Sequence, residues 1–374
     1  MNSYADYWRQ FFDPIAIRYD KIGEGRYEIQ SFILPLLDSD IYNQVEDALV
    51  TVKTGGELVI PSVSPAPSMM LSLNVNDDLR VSMSHELADA LVAYASVDPE
   101  IFDSIGSGIH LAVQDSAPIV ALGGGDIWGA VSKEMLNLEG FDSLLPFIAS
   151  LATQPATIMI ELADPAKVRE FLADAVVKRS EVGGSGELHK LQGREAWIYT
   201  LNVANIVQIH LRLEIQGDYL LISNLPWTTA IAVGKGTMAR LNGAQLTLDL
   251  TQIEKQLPAL HTKVFTDYRA AAVDGMGYIY PLIEAGVADT VSEAIERHFE
   301  IFGFKPQHPW QGEWMWHDSY LESTEFGTAM RPVQPEFRQG DRSFGLFPEL
   351  DRIGVNMQLE DTGLRATIRW TTAP

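Results

Sequence analysis

Hydrophobic and polar residues alternate along several stretches of the chain, which predicts β-strands. The clearest case is Val207–Ile215, where every second residue is apolar and the residues between them are polar. This pattern is typical of an antiparallel strand with one face buried. Gly217-Asp218 predicts a turn after it, and Tyr219–Ser223 predicts the returning strand. Near the C-terminus, the same alternation on both sides of residues 361–363 predicts a second hairpin.

Helical spacing of apolar residues predicts helices between and after these strands. Asp164 and Pro165 form a start signal, since aspartate caps a helix and proline suits its first position. After residue 250 we expect one helix over about 252–272 and another over 290–303. Thr290 and Glu293 have the spacing of a capping box, and Gly303 suits the C-terminal end of that helix.

Two segments of the chain resemble each other without a gap. Residues 70–86 align with residues 198–214, at an offset of 128 residues. The pattern predicts an α+β fold with two tandem copies of a strand–helix–antiparallel meander unit, each a one-sided sheet with its helix on the apolar face. A C-terminal helical and β-hairpin region would follow. We expect domains at 1–125, 126–250 and 251–374, with the last packed on the repeats.

Charge narrows the range of partners. The chain has 50 acidic and 27 basic residues, a net charge of −23. Such a surface repels phosphate backbones and anionic lipids, so we expect no nucleic-acid partner. There is no cysteine, which excludes disulfides and thiolate chemistry. No apolar stretch is long enough for a membrane span, and the first residues do not resemble a signal peptide.

The stretch HPWQGEWMWHDSYLESTEFG, at residues 308–327, is the densest in candidate chemistry. We favour a hairpin packed on a core, with a turn at 317–319. The first alternative is a carbohydrate or peptide platform, whose ligand-binding residues would be Trp310, Trp314, Trp316 and Tyr320. The second is a hydrolase, because glycosidic hydrolysis uses paired carboxyl groups. Its catalytic residues would be Glu313, Asp318 and Glu322.

Other motifs indicate ordinary structure rather than chemistry. His298 shares the apolar face of its helix, which favours a hydrogen-bonded core histidine. No histidine pair has metal-ligand spacing, so we expect neither a metal nor a cofactor. The glycines of 123–129 miss the dinucleotide spacing by one residue. The acidic residues at 38–40 and 74–78 do not form a calcium-binding loop.

The order FILPLLD, DPAKVREFL, GREAWIYTL and GDYLLIS resembles a family of uncharacterised bacterial exported proteins. The resemblance covers residues 30–250 and implies a location in the periplasm or at the cell surface. It implies no catalytic residues. Without a removed signal sequence, the protein would be cytoplasmic.

From these patterns we expect a non-enzymatic exported or cell-surface protein that binds a protein, a carbohydrate or another small molecule, or joins a surface assembly. Oligomerisation fits this interpretation. Besides the hydrolase, an apolar-ligand carrier with a cavity between sheet and helices stays an alternative.

Overall fold

The computed structural model describes residues 15–34, 56–75, 104–117, 154–182, 186–203, 207–225, 231–241, 244–345, 347–360 and 363–372. The chain forms two compact units. The first consists of Met1–Glu254 with Glu349–Pro374, and the second is Lys255–Pro348.

The first unit is built on a large antiparallel sheet. In chain order, the strands of this unit are β1 (Ile15–Gly23), β2 (Arg26–Ile33), β3 (Gly56–Ser64), β4 (Met69–Asn74), β5 (Ile105–Val113), β6 (Ala156–Leu162), β7 (Gly186–Lys190), β8 (Ala196–Val203), β9 (Val207–Gln216), β10 (Tyr219–Ser223), β11 (Ala232–Leu241), β12 (Ala244–Asp249), β15 (Arg352–Glu360) and β16 (Gly363–Thr371). Twelve of them form one sheet in the order β1-β2-β16-β15-β12-β4-β5-β6-β10-β9-β8-β7. The other two, β3 and β11, pair with each other.

In the described part of the first unit, a helix packs on the apolar face of this sheet. Helix α1 (Pro165–Val182) begins as predicted, because the Asp164 carboxylate accepts hydrogen bonds from the backbone N–H groups of Ala166 and Lys167. Its residues Val168 and Leu172 are buried with Trp197 of β8 and Ile215 of β9. The helix therefore covers the β9–β8 end of the sheet.

The opposite face of the sheet is also covered, which corrects the predicted one-sided sheet. Val63 of β3 and Val233 of β11 pack on Met159, Tyr219 and Leu221. As a result, polar residues that alternate with the apolar ones are buried too. Arg212 is only 7% exposed, whereas Ile209 on the apolar side of the same strand is 42% exposed.

The predicted α+β class is wrong. In the part of the chain that the structure describes, 45% of the residues are in strands and 23% are in helices. The predicted C-terminal hairpin exists as β15–β16, but it lies inside the large sheet, between β2 and β12. The tandem copies stay a prediction, because 35–55 and 76–103 of the first copy lie outside the described residues. The acidic residues at 38–40 and 76–78 and the glycine-rich turn at 123–129 lie outside them as well.

In its described residues, the second unit consists of two helices and a short hairpin. These are α2 (Leu257–Glu284), α3 (Val291–Phe302), β13 (Trp314–His317) and β14 (Tyr320–Ser323). Helix α2 continues beyond the predicted end at 272 because its buried apolar residues continue at helical spacing. The buried core is formed by Met276, Ile279, Ile283, Ala288, Ala294, Trp314 and Leu321.

The predicted capping of α3 is confirmed. The Thr290 side chain accepts a hydrogen bond from the Glu293 backbone, and the Glu293 carboxylate accepts one from the Asp289 backbone. Gly303 ends the helix with φ of 79°, a left-handed conformation that glycine adopts without strain. Among the described helices, none combines the length and the apolar character that crossing a membrane requires.

Candidate functional site

The predicted hairpin within 308–327 is confirmed, and one of its faces packs on α2. In its register Trp314 lies opposite Ser323, and Trp316 lies opposite Leu321. Trp314 is only 5% exposed, and its indole Nε1 donates a 3.0 Å hydrogen bond to the Ala272 carbonyl of α2. Gly275 leaves the space for this indole, because a Cβ there would overlap the ring.

The four residues suggested as a ligand platform are not brought onto one surface. Trp310 stacks on Tyr268 of α2, with ring centroids 5.3 Å apart. Trp316 is half-buried and lies 5.6 Å from Tyr280. Tyr320 lies on the other face of the hairpin, where it stacks on His317 at 5.0 Å. Together with the buried Trp314, these side chains point to different neighbours.

The three carboxylates of the hydrolase alternative lie at different parts of the hairpin. Glu313 precedes β13 and is exposed, and Asp318 is exposed at the turn, where its φ is 31°. Glu322 is in β14, with its Oε2 3.1 Å from Nε2 of His317. Within the described residues, no three histidine or acidic side chains are grouped as metal ligands.

Sequence reasoning missed a serine–histidine contact in the same stretch. The Ser323 hydroxyl lies 2.9 Å from Nε2 of His308, and Nδ1 of His308 lies 3.1 Å from the Trp310 carbonyl. A nucleophilic serine must be accessible, but Ser323 is only 1% exposed, and its oxygen also accepts a hydrogen bond from the Phe326 backbone. The pair therefore fixes the loop before β13 onto the hairpin. No sequence motif marks it.

A second histidine of this unit is enclosed by rings. His261 of α2 has ring centroids of Phe265, Phe337 and Phe344 within 4.2, 5.3 and 5.1 Å. Burial lowers its pKa, and nearby Asp341 partly opposes that shift. A neutral imidazole in this apolar surrounding packs as part of the core.

A cluster of exposed aromatic residues lies at the C-terminal end of α3. We call it the α3 aromatic surface, and it consists of Tyr278, Phe302 and Phe304, whose ring centroids all lie within 5.2 Å of the His298 ring. All three side chains are exposed, with Phe302 at 62% and Phe304 at 48%. Phe302 and Phe304 lie on either side of the Gly303 turn. The sequence pattern does not indicate this grouping, because the stretch HFEIFGF looks like the apolar face of a helix.

His298 supports this surface from below. It is 3% exposed, and its Nδ1–H donates a 3.0 Å hydrogen bond to the Phe304 carbonyl, so the predicted core histidine is confirmed. Its ring lies 4.6 Å from the rings of both Phe302 and Phe304, and 5.2 Å from Tyr278. This hydrogen bond holds the segment after Gly303 against α3, so that the rings of Phe302 and Phe304 both contact the imidazole.

The stretch of chain that contains the α3 aromatic surface is acidic. Residues 274–305 contain six acidic and two basic side chains. Both bases are already paired: Arg297 with Glu300 at 2.8 Å, and Lys305 with Glu296 at 2.5 Å. The Lys305 ammonium also lies 5.5 Å from the Phe299 ring centroid. The stretch 274–305 is therefore net negative as a whole.

A polar cavity of the first unit is much smaller than a ligand site. It is bordered by Arg212 and Glu214, which form an ion pair of 2.5 Å, and by the hydroxyls of Thr157 and Ser223, 2.8 Å apart. Its volume of about 20 Å³ is close to what one water molecule occupies. We therefore regard it as a hydration site.

No protein-family model, curated protein or solved structure matches the chain.

Proposed function

We propose that the protein is a non-enzymatic binding protein whose second unit binds a basic, partly apolar polypeptide segment on the α3 aromatic surface. The observation that carries the proposal is the grouping of three exposed aromatic side chains around one buried histidine. An exported or cell-surface location stays a prediction from the family resemblance.

Single exposed apolar residues are common on soluble proteins, but contiguous apolar patches mark interaction sites. Phenylalanine and tyrosine bury a large area with few rotatable bonds, which makes them effective at the centre of an interface. Here their positions are fixed before binding, because His298 holds the Phe304 carbonyl at 3.0 Å. A partner would lose little affinity to ordering this surface.

The net charge of the stretch that carries the rings supports a basic partner. Glu296 and Glu300 each have a basic neighbour, whereas the whole stretch 274–305 keeps a four-charge excess of acids, six against two. Lysine or arginine side chains flanking the apolar residues of a partner would be attracted by this net negative charge. An acidic partner would be repelled. An amphipathic helix with one basic and one apolar face has both properties.

The hydrolase alternative receives less support. It needs an exposed tryptophan face beside its carboxylates, and Trp314 is buried under α2. Glu322 has a histidine neighbour, whereas Glu313 and Asp318 are exposed before the first strand and at the turn. The α3 aromatic surface includes none of these carboxylates.

The test compares two alanine substitutions of exposed residues in the second unit. Phe302→Ala removes a ring that is 62% exposed from the α3 aromatic surface, and Met330→Ala removes a side chain outside it that is 91% exposed. The probe is a fluorescent amphipathic leucine–lysine peptide, with a leucine–glutamate peptide of the same pattern for comparison. Fluorescence anisotropy measures the affinity of the full chain for each.

We expect the leucine–lysine peptide to bind and Phe302→Ala to weaken it about tenfold or more, the scale of a central interface residue. Met330→Ala should leave the affinity within about twofold. Equal binding of both peptides would remove the charge argument. Equal effects of the two substitutions, or no binding of either peptide, would overturn the proposal.

A further inference from the structure

Strand β1 has one unpaired side in the part of the chain that the structure describes. It is the terminal strand of the large sheet, and β2 is its neighbour there. Ile15, Ile17 and Tyr19 lie on one face of it and are 58%, 71% and 59% exposed. A long edge strand with exposed apolar residues is a template for pairing with another strand. Natural edge strands are often protected by proline or by charged side chains. Strand β1 has no proline, and its charged residues Arg18 and Asp20 flank the middle residue Tyr19.

We propose that β1 pairs with β1 of a second copy of the chain, antiparallel and centred on Tyr19, so that two sheets join into one across a two-fold axis. In this register each residue of Ile15–Gly23 has a partner, because Tyr19 is the middle residue of the strand. Arg18 lies opposite Asp20 of the second copy, and Asp20 lies opposite Arg18 of that copy. Tyr19 lies opposite its own equivalent.

Charge selects this register among the symmetric ones. Because both sheets face the same way, residues that lie directly opposite each other are on the same face of the joined sheet. Side chains alternate between the two faces, so the register can shift only by two residues at a time. A shift one way puts Arg18 opposite Arg18, and a shift the other way puts Asp20 opposite Asp20. Like charges directly opposite are destabilising. The sequence of β1 is therefore self-complementary in one register and repulsive in its two neighbours.

Tyr19 would also meet an aromatic residue across the junction. In one chain its ring lies 6.3 Å from Tyr27 of β2 and 6.2 Å from Trp370 of β16, and those two rings lie 5.4 Å apart, so the three rings form a compact cluster. Tyr19 stays 59% exposed within this cluster. In the proposed register it lies opposite Tyr19 of the second copy, and cross-strand aromatic pairs stabilise sheets. The β1–β2 register shifts between Lys21 and Gly23, at the end of the strand.

The test uses charge reversal in the full chain and measures the dimer dissociation constant by analytical ultracentrifugation. Arg18→Asp places two acids opposite each other at both ends of the junction, and Asp20→Arg places two bases there. Each should weaken the dimer about 30-fold or more. The double variant R18D/D20R restores opposite charges and should regain most of the wild-type affinity. Circular dichroism checks that each variant keeps its sheet. This is expected because the Arg18 and Asp20 side chains are 71% and 33% exposed, although each single variant also removes the 2.6 Å ion pair that these two residues form within one strand.

Mixing the two single variants gives the sharpest result. An Arg18→Asp strand carries two acids and an Asp20→Arg strand carries two bases, so the mixture should form a heterodimer although neither variant dimerises well alone. The proposal is overturned by a wild type that stays monomeric over the concentration range, which would leave the edge to a different protein. A double variant that is not rescued, or single variants as dimeric as the wild type, overturns it as well.

Discussion

His110 of β5 lies with its imidazole fully enclosed in the first unit. Its Nδ1 is 3.0 Å from the Ser72 hydroxyl of β4, and its ring meets Tyr219 of β10 edge-on at 5.9 Å. Burial lowers the pKa of His110 to about 4 and raises the pKa of Tyr219 to about 12. The phenol donates to the Val59 carbonyl of β3 at 3.0 Å. Both side chains are therefore neutral in the folded protein near pH 7.

This burial makes the stability of the first unit depend on pH. Between pH 6.5 and about 4 the unfolded chain binds a proton at His110 that the folded chain does not bind. Stability should therefore fall as the pH is lowered through this range, by at most about 3 kcal/mol from this residue. His110→Gln should reduce the pH dependence of the free energy of urea unfolding. Ser72→Ala, which keeps the imidazole, should lower stability without reducing that dependence. An unchanged pH dependence in His110→Gln would contradict the explanation.

At the scale of elements, the contact between α2 and the β13–β14 hairpin rests on one glycine. A Cβ at Gly275 would overlap the buried Trp314 ring, whereas a Cβ at Gly277 would meet no atom within 4 Å. Gly275→Ala should therefore cost about 1–3 kcal/mol, as overpacked cores do. Gly277→Ala should stabilise the helix by about 0.5–1 kcal/mol, because alanine favours helices. Urea unfolding followed by tryptophan fluorescence measures both. Effects of the same sign would show that Trp314 does not pack on Gly275.

Elements with local signals were predictable from the sequence. Asp164 and Thr290 mark helix starts because their side chains bond to backbone groups two or three residues away. The hairpins at 217–218 and 317–319 follow from turn residues between alternating stretches. The order of strands in the sheet was not predictable, because β2 pairs with β16 through contacts that no local pattern encodes. The α3 aromatic surface was missed for a related reason: periodicity shows that Phe302 lies in a helix but not whether anything covers it.

At the scale of the whole molecule, the first unit pairs strands that lie far apart in the sequence. Strand β16 lies between β2 and β15, and β15 pairs with β12. Two ion pairs reinforce these junctions: Arg369 with the buried Glu28 at 2.5 Å, and Arg352 with Asp249 at 2.6 Å. The hydrogen bond from Arg369 is the main cause that lowers the pKa of Glu28. The C-terminal hairpin therefore connects β1 and β2 to the rest of the sheet.

Removing this hairpin should separate the sheet while leaving the second unit folded. A chain that ends after Leu350 keeps all of Lys255–Pro348, whose core residues belong to that segment. It lacks β15 and β16, so β2 and β12 each lose a neighbouring strand. Hydrogen exchange followed by mass spectrometry should show lost protection in β2 and β12 and retained protection in α2 and α3, because amides exchange once their ladder partner is gone. A chain that ends after Thr372 keeps both strands and should exchange like the full chain. Retained protection of β2 in the shorter chain would mean that β16 is not its essential neighbour.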